Sequence, residues 1–195
     1  MIPIFEQGDS HGIGHSFDTF IRRFSDICKN HIESKRAHAF AFIFYDFTDS
    51  NLKDVLKSKG GFARLDRLSG RKLSVFYLHS NNRKLNKHFN DTFKYVFEIE
   101  DNINLPFVLF LKFDGEIAEI EELKISELEQ DNPMFAFSEL FDTIESYVAQ
   151  LEKEIIDVES KTNKLTNVIN KYKRMAIDEF IKLILKDGYN MIKDF

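Results

Sequence analysis

Apolar residues recur along this chain in more than one rhythm. After Ser16, the residues Phe17, Phe20, Ile21, Phe24, Ile27, Cys28 and Ile32 return at three- and four-residue spacing, which puts them on one face of a helix. Residues 39–47, "AFAFIFYDF", and residues 73–78 are short, nearly continuous apolar runs, as expected of central strands covered on both faces. Between them Leu52, Val55 and Leu56 begin a second helix, which Gly60-Gly61 is expected to break. "NNRKLNKHFND" reads as a polar connector of one or two helical turns, and "TFKYVFEIE" alternates as a half-exposed strand would. Phe107 to Phe113 predicts a further strand, Asp114-Gly115 a two-residue hairpin turn, and Ile117 to Ile120 its antiparallel return. Residues 1–16 hold no sustained period and read as a strand stub and a loop. Helices between apolar strands, closed by a hairpin, predict an α/β sheet with parallel centre strands and an antiparallel edge.

The last third has another rhythm. Asn132-Pro133 is a helix start, with Asn as cap and Pro in the first turn. Neither Gly nor Pro follows between Met134 and Asp187, a stretch of about 80 Å if it were one helix. Phe141, Ile144, Val148, Leu151, Ile155, Val158, Thr162, Leu165, Ile169 and Tyr172 fall on alternating three- and four-residue steps, an a/d seam with one polar position. The expectation is a coiled coil or helical hairpin; the alternative is a core-packing helix followed by an independent one. Residues 116–159 carry fourteen acids against two lysines, and residues 160–195 eight basic residues against four acids. The two halves could therefore pair antiparallel, within one chain or between two. The plainer reading is a set of solvated faces.

Composition narrows the class of protein. Hydrophobic residues make up 43% and charged residues 30%, the balance of a globular chain. The 21 Phe, 6 Tyr and absent Trp imply a core of rings without polar handles. A net charge of −5 argues against non-specific nucleic-acid binding. The single cysteine, Cys28, excludes an internal disulfide and reads as a small buried residue on its helix face. No basic-then-apolar leader opens the chain and no apolar run reaches the ~18 residues of a membrane span, so a cytoplasmic protein without a membrane segment is expected.

The order of elements, and above all "NLPFVLFLKFDGEIAEIEEL", resembles the thioredoxin-like fold over residues 17–150. In that family a proline, commonly cis, precedes the strand that opens the terminal hairpin. Pro106 matches it, Phe107 to Leu111 match the strand and Asp114-Gly115 the hairpin tip. The family's Cys-x-x-Cys pair follows the first central strand, where a helix N-terminus stabilises a thiolate. Here that place holds "YDFTDSNLKDV", without cysteine. The resemblance thus implies a redox-inactive member of the kind used in binding or assembly.

Three polar clusters remain. Asp46 and Asp49, with Thr48 and Ser50, stand where open α/β sheets bind ligands and could hold Mg²⁺ in a metal-assisted hydrolase or nucleotide-processing enzyme. Helix capping by Asp49 or Ser50 explains the same residues more simply. Asp9, His11 and His15 in "GDSHGIGHS" match no standard zinc spacing and read as a flexible loop. "KSKGGFARLDRLSGRK" gathers Lys57, Lys59, Arg64, Arg67, Arg71 and Lys72 around one acid, Asp66. This loop suits an acidic protein surface, such as that of residues 116–159, better than a nucleotide or nucleic acid.

These readings add up to an N-terminal strand and loop (1–16), a thioredoxin-like α/β domain (17–131) and a long C-terminal helical region (132–195), whose first part, 132–150, could pack on the sheet. The expected function is non-catalytic: recruitment of a protein partner through Arg64, Arg67, Arg71 and Lys72, and homo-oligomerisation through the seam from Phe141 to Tyr172, with no cofactor and no metal. The rival is the enzyme using Asp46 and Asp49, and a ligand sensor whose helix pairing responds to binding stands third.

Overall fold

The computed structural model describes residues 2–5, 15–34, 36–46, 50–69, 72–80, 82–113, 120–128, 133–156 and 166–167, with 179 and 182. In chain order the elements are β1 (Ile2–Phe5), β2 (His15–Ser16), α1 (Phe17–Glu33), β3 (Ala39–Phe44), α2 (Ser50–Lys57), α3 (Lys59–Leu68), β4 (Leu73–His79), α4 (Arg83–Val96), β5 (Phe107–Phe113), β6 (Ile120–Glu127), α5 (Pro133–Ile156) and β7 (Thr166–Asn167). One mixed sheet runs in the order β2-β1-β4-β3-β5-β6-β7. β3 is parallel to β4 and β4 to β1, whereas β5 is antiparallel to β3 and β6 to β5. This α/β arrangement, a mixed sheet with flanking helices, is consistent with a thioredoxin-like fold.

The sheet has two covered faces because β3 is apolar at every position, and all six of its residues are buried. Phe40, Phe42 and Phe44 point to one side, where α1 brings Phe20, Phe24, Ile27 and Cys28 and α4 brings Phe89, Phe93 and Phe97. Ala39, Ala41, Ile43 and Tyr45 point to the other, where α2, α3 and α5 supply Leu52, Leu65, Leu140, Phe141, Ile144, Tyr147 and Leu151. The small alanines on this face leave room for the α5 rings, and Tyr147 stacks on Phe110 at 4.0 Å. Ser16 starts α1: its Oγ accepts from the Thr19 amide at 3.3 Å, as an N-cap does.

Two expectations need correction. Residues 92–96 are helical, not a strand: α4 runs on through them from its cap at Asn82. Leu85, Phe89, Phe93 and Phe97 stand four apart, and this stripe is what packs on the sheet. The break after α2 lies at Ser58, and Gly60-Gly61 form the first turn of α3. Ser58 Oγ donates to the Val55 carbonyl at 2.8 Å and accepts from the Gly61 amide at 2.9 Å, so one hydroxyl serves both helix ends. Ile120 pairs with Phe113 in the antiparallel return, and the predicted turn at Asp114-Gly115, like Ile117, lies outside the described residues. Thr166–Asn167 form β7, which pairs with Lys124 and Ile125 at the β6 edge. The rest of the coiled-coil reading beyond Ile156, including Val158, Thr162, Leu165, Ile169 and Tyr172, lies outside the described residues.

Gly61 is required by this corner. A Cβ there would lie 2.1 Å from the Val55 carbonyl oxygen and 2.8 Å from the capping Ser58 Oγ. Gly61→Ala must therefore push α3 off the end of α2, and is expected to cost about 1–3 kcal/mol, read as a lower urea midpoint at unchanged slope.

Candidate functional site

The carboxyl ends of the parallel strands β3 and β4 hold a compact polar ladder. β3 leads into Tyr45, 2% exposed, and then into Asp46, half-buried. Tyr45 Oη donates to the Leu78 carbonyl on β4 at 2.8 Å. The Tyr45 carbonyl, past the last strand residue, accepts from Asn90 Nδ2 on α4 at 3.0 Å. Asn90 Nδ2 also lies 3.4 Å from Asn86 Oδ1 one turn earlier. Asn82 caps the helix, its Oδ1 accepting from the Lys84 and Leu85 amides, while its own amide donates to Ser80 Oγ at 2.9 Å. Ser80, Asn86 and Asn90 are all buried, and Asn90 Oδ1 has no hydrogen-bond partner among the described residues. The ladder was missed in the sequence because its segment reads as a connector. The signal was present as Asn82, Asn86 and Asn90, four residues apart on one helix face.

Pro106 completes the corner. The Leu105-Pro106 peptide is cis. Phe107 pairs with Phe44 in the sheet and stacks on it at 4.8 Å, which brings Pro106 beside the chain leaving β3. Pro106 is buried and its carbonyl accepts from the Leu128 amide at 2.9 Å. Thr48 and Asp49 lie outside the described residues, and α2 begins immediately after them at Ser50. Among the described residues no three His, Cys, Asp or Glu side chains converge in a metal-binding group.

Burial tunes the titrating groups near the sheet. Cys28 is fully buried in α1, and loss of solvation pushes its thiol well above the usual value. A neutral, inaccessible thiol is a poor nucleophile. Burial likewise pushes the Tyr77 phenol up to about 12. Tyr45 is raised further, first by burial and then by the neighbouring Tyr77. Both phenols therefore remain neutral near pH 7, and what the described corner offers is hydrogen bonding by phenol, amide and carboxylate groups. The shift has a sign in stability. The unfolded chain releases the Tyr77 proton near pH 10 whereas the folded chain keeps it to about 12. The contribution is full below pH 10 and is lost as pH rises through that window, by up to about 1.4 kcal/mol per pH unit. Tyr77→Phe should accordingly flatten the fall in urea midpoint between pH 9 and 11.5.

The basic segment is spoken for in part by its own chain. Arg64 on α3 places Nη2 2.7 Å and Nε 3.2 Å from Glu145 Oε1 on α5, with its guanidinium carbon 4.4 Å above the Phe141 ring. Lys72 Nζ lies 2.9 Å from Glu152 Oε1, also on α5. These pairs are more than a third exposed, so they orient α5 more than they stabilise it. Lys59 and Arg67 face solvent, and Arg71 is outside the described residues. On α5, Phe141, Ile144 and Leu151 are buried against the sheet and Val148 partly so, while the Ile155 side chain is not described. The first half of the predicted seam is thus covered by the chain's own sheet. Asp9 and His11 are outside the described residues; His15 is seen only as a backbone position in β2. No described helix is long and apolar enough to cross a membrane.

No family model, curated protein or solved structure matches this chain.

Proposed function

We propose that this chain is a non-catalytic, thioredoxin-like binding domain that recruits a protein partner and self-associates through the residues beyond α5. The observation that carries this reading is the corner at the exit of β3. It sets the buried Pro106 beside Tyr45, Asp46 and a carboxamide ladder, while the single cysteine is buried in α1. Among the described residues such a corner presents hydrogen-bonding groups with neither an exposed thiolate nor a paired base and nucleophile. The basic recognition surface narrows to Arg67 and Arg71, since Arg64 and Lys72 hold α5. Self-association falls to Val158, Leu165, Ile169 and Tyr172, since the earlier seam residues serve the core.

Light scattering on the full chain tests the assembly half: a mass above that of one chain is expected, reduced to one chain by Leu165→Asp with Ile169→Asp. A wild-type monomer at high micromolar concentration removes self-association from the proposal. For the catalytic half, no acceleration of insulin reduction by dithiothreitol is expected. If Mg²⁺-dependent hydrolysis of a nucleotide appears and disappears in Asp46→Asn with Asp49→Asn, the enzyme reading replaces this one.

A further inference from the structure

A second feature lies at the other end of the sheet. Where α1 ends, beside the amino-terminal ends of β3 and β4, an open cleft of about 730 Å³ is lined by Arg23, Asp26, Lys29, His31, Glu33 and Arg36, among others. His31 is unusual in this setting. It is 6% exposed, and its ring lies 6.0 Å from both Phe40 and Phe76, nearly parallel to the latter. Nδ1 is 2.9 Å from Ser74 Oγ on β4, and the His31 carbonyl accepts from the Arg36 and Ala37 amides. The imidazole is therefore fixed in the wall of the cleft rather than free to swing.

The cations at the rim are placed differently from those on α3. Arg64 and Lys72 already hold carboxylates, whereas the Arg23 and Arg36 guanidinium groups make no hydrogen bond or ion pair among the described residues. Two such guanidinium groups, a lysine and an oriented imidazole around one cleft form a receptor for a compact oxyanion, because guanidinium matches two oxygens at once. The amides donating into the end of α1 also satisfy a helix-terminal carbonyl that would otherwise repel an anion. Asp26 and Glu33 share the lining. They disfavour extended polyanions and can accept hydrogen bonds from hydroxyls.

We infer that this cleft binds a small soluble phosphate-type oxyanion, as in a phosphate monoester, through Arg23, Arg36 and His31, and that protonation of His31 strengthens the binding. The charged groups that share the cleft with His31 are Arg23, Asp26, Lys29 and Glu33 on α1 and Arg36 after it. The sheet presents Ser74 and the rings of Phe40 and Phe76. A bound dianion offsets the cationic rim and so favours imidazolium. The site is separate from the β3 exit and does not depend on the proposed function.

Sulfate is the first probe, because its charge is constant between pH 5.5 and 8, and titration calorimetry against chloride at matched ionic strength is the measurement. Saturable binding at millimolar concentration or tighter is expected, at least threefold tighter at pH 5.5 than at pH 8. Arg23→Ala with Arg36→Ala, both exposed positions, should weaken it at least tenfold at both pH values with unchanged circular dichroism. His31→Gln should keep binding but lose most of the pH dependence. The inference is overturned if sulfate does no better than chloride, or if the arginine double variant binds as the parent does. It is equally overturned if only phosphatidic acid vesicles, and not sulfate or glycerol phosphate, are bound.

Discussion

Ile144→Asp is expected to unfold this domain rather than dissociate an assembly. Ile144 is 0% exposed within one chain, on the α5 face that covers Ala39, Ala41 and Ile43 of β3. A carboxylate buried in this apolar layer without a partner costs about 3–5 kcal/mol or forces the helix off the sheet. That is a large fraction of the ~5–15 kcal/mol by which a domain of ordinary stability is folded. The expected readings are a collapse of the urea midpoint and loss of near-ultraviolet dichroism at every protein concentration. The control is Ile169→Asp, in the part of the heptad register assigned above to self-association. It should leave the midpoint near that of the parent and act on mass alone. If Ile144→Asp instead stayed folded and merely lowered the mass, the buried packing of α5 would be wrong.

The same helix shows why part of the structure was legible in the sequence and part was not. Phe141, Ile144, Val148 and Leu151 satisfy a heptad and an ordinary amphipathic helix equally well. The two periods drift apart by only ~20° per heptad, and two heptads do not separate them. Only the partner decides, and here the partner is the sheet. The Arg64–Glu145 contact is similar: the sequence showed a basic cluster and an acidic stretch but not the register that joins residues 81 positions apart.

The strands β3, β4 and β5 were readable because burial on both faces leaves nearly unbroken apolar runs that no exposed helix would carry. The cis proline at the start of β5 was readable through the resemblance alone. Residues 92–100 were misread because Phe93 and Phe97 fit both periods, being four apart. Tyr95 separates them: a strand would bury it with its neighbours, and in α4 it is 61% exposed. The Asn ladder escaped for the opposite reason. Polar residues normally signal solvent, and nothing local says that Asn86 and Asn90 are buried to hold the end of β3.

Phe42→Ala carries the largest expected loss from a single truncation, and what it tests is the aromatic layer. The Phe42 ring lies 5.2 Å from Phe76, 5.6 Å from Phe24 and from Phe93, and 6.4 Å from Phe20 and Phe97. It therefore ties α1, α4 and two central strands together at one point. Truncation removes the transfer free energy of the ring and leaves a cavity whose walls are themselves rigid rings, with poor means of collapsing. The expected cost is about 3–5 kcal/mol, at the upper end because relaxation is restricted. Phe42→Leu fills much of the volume with a flexible side chain and should recover more than half of that loss. Chemical denaturation of the three proteins at pH 7 measures both differences. A loss below about 1 kcal/mol for Phe42→Ala would mean that the ring is not at the centre of the packed layer. The placement of α4 over β3, and with it the Asn90 contact at the candidate site, would then fall too.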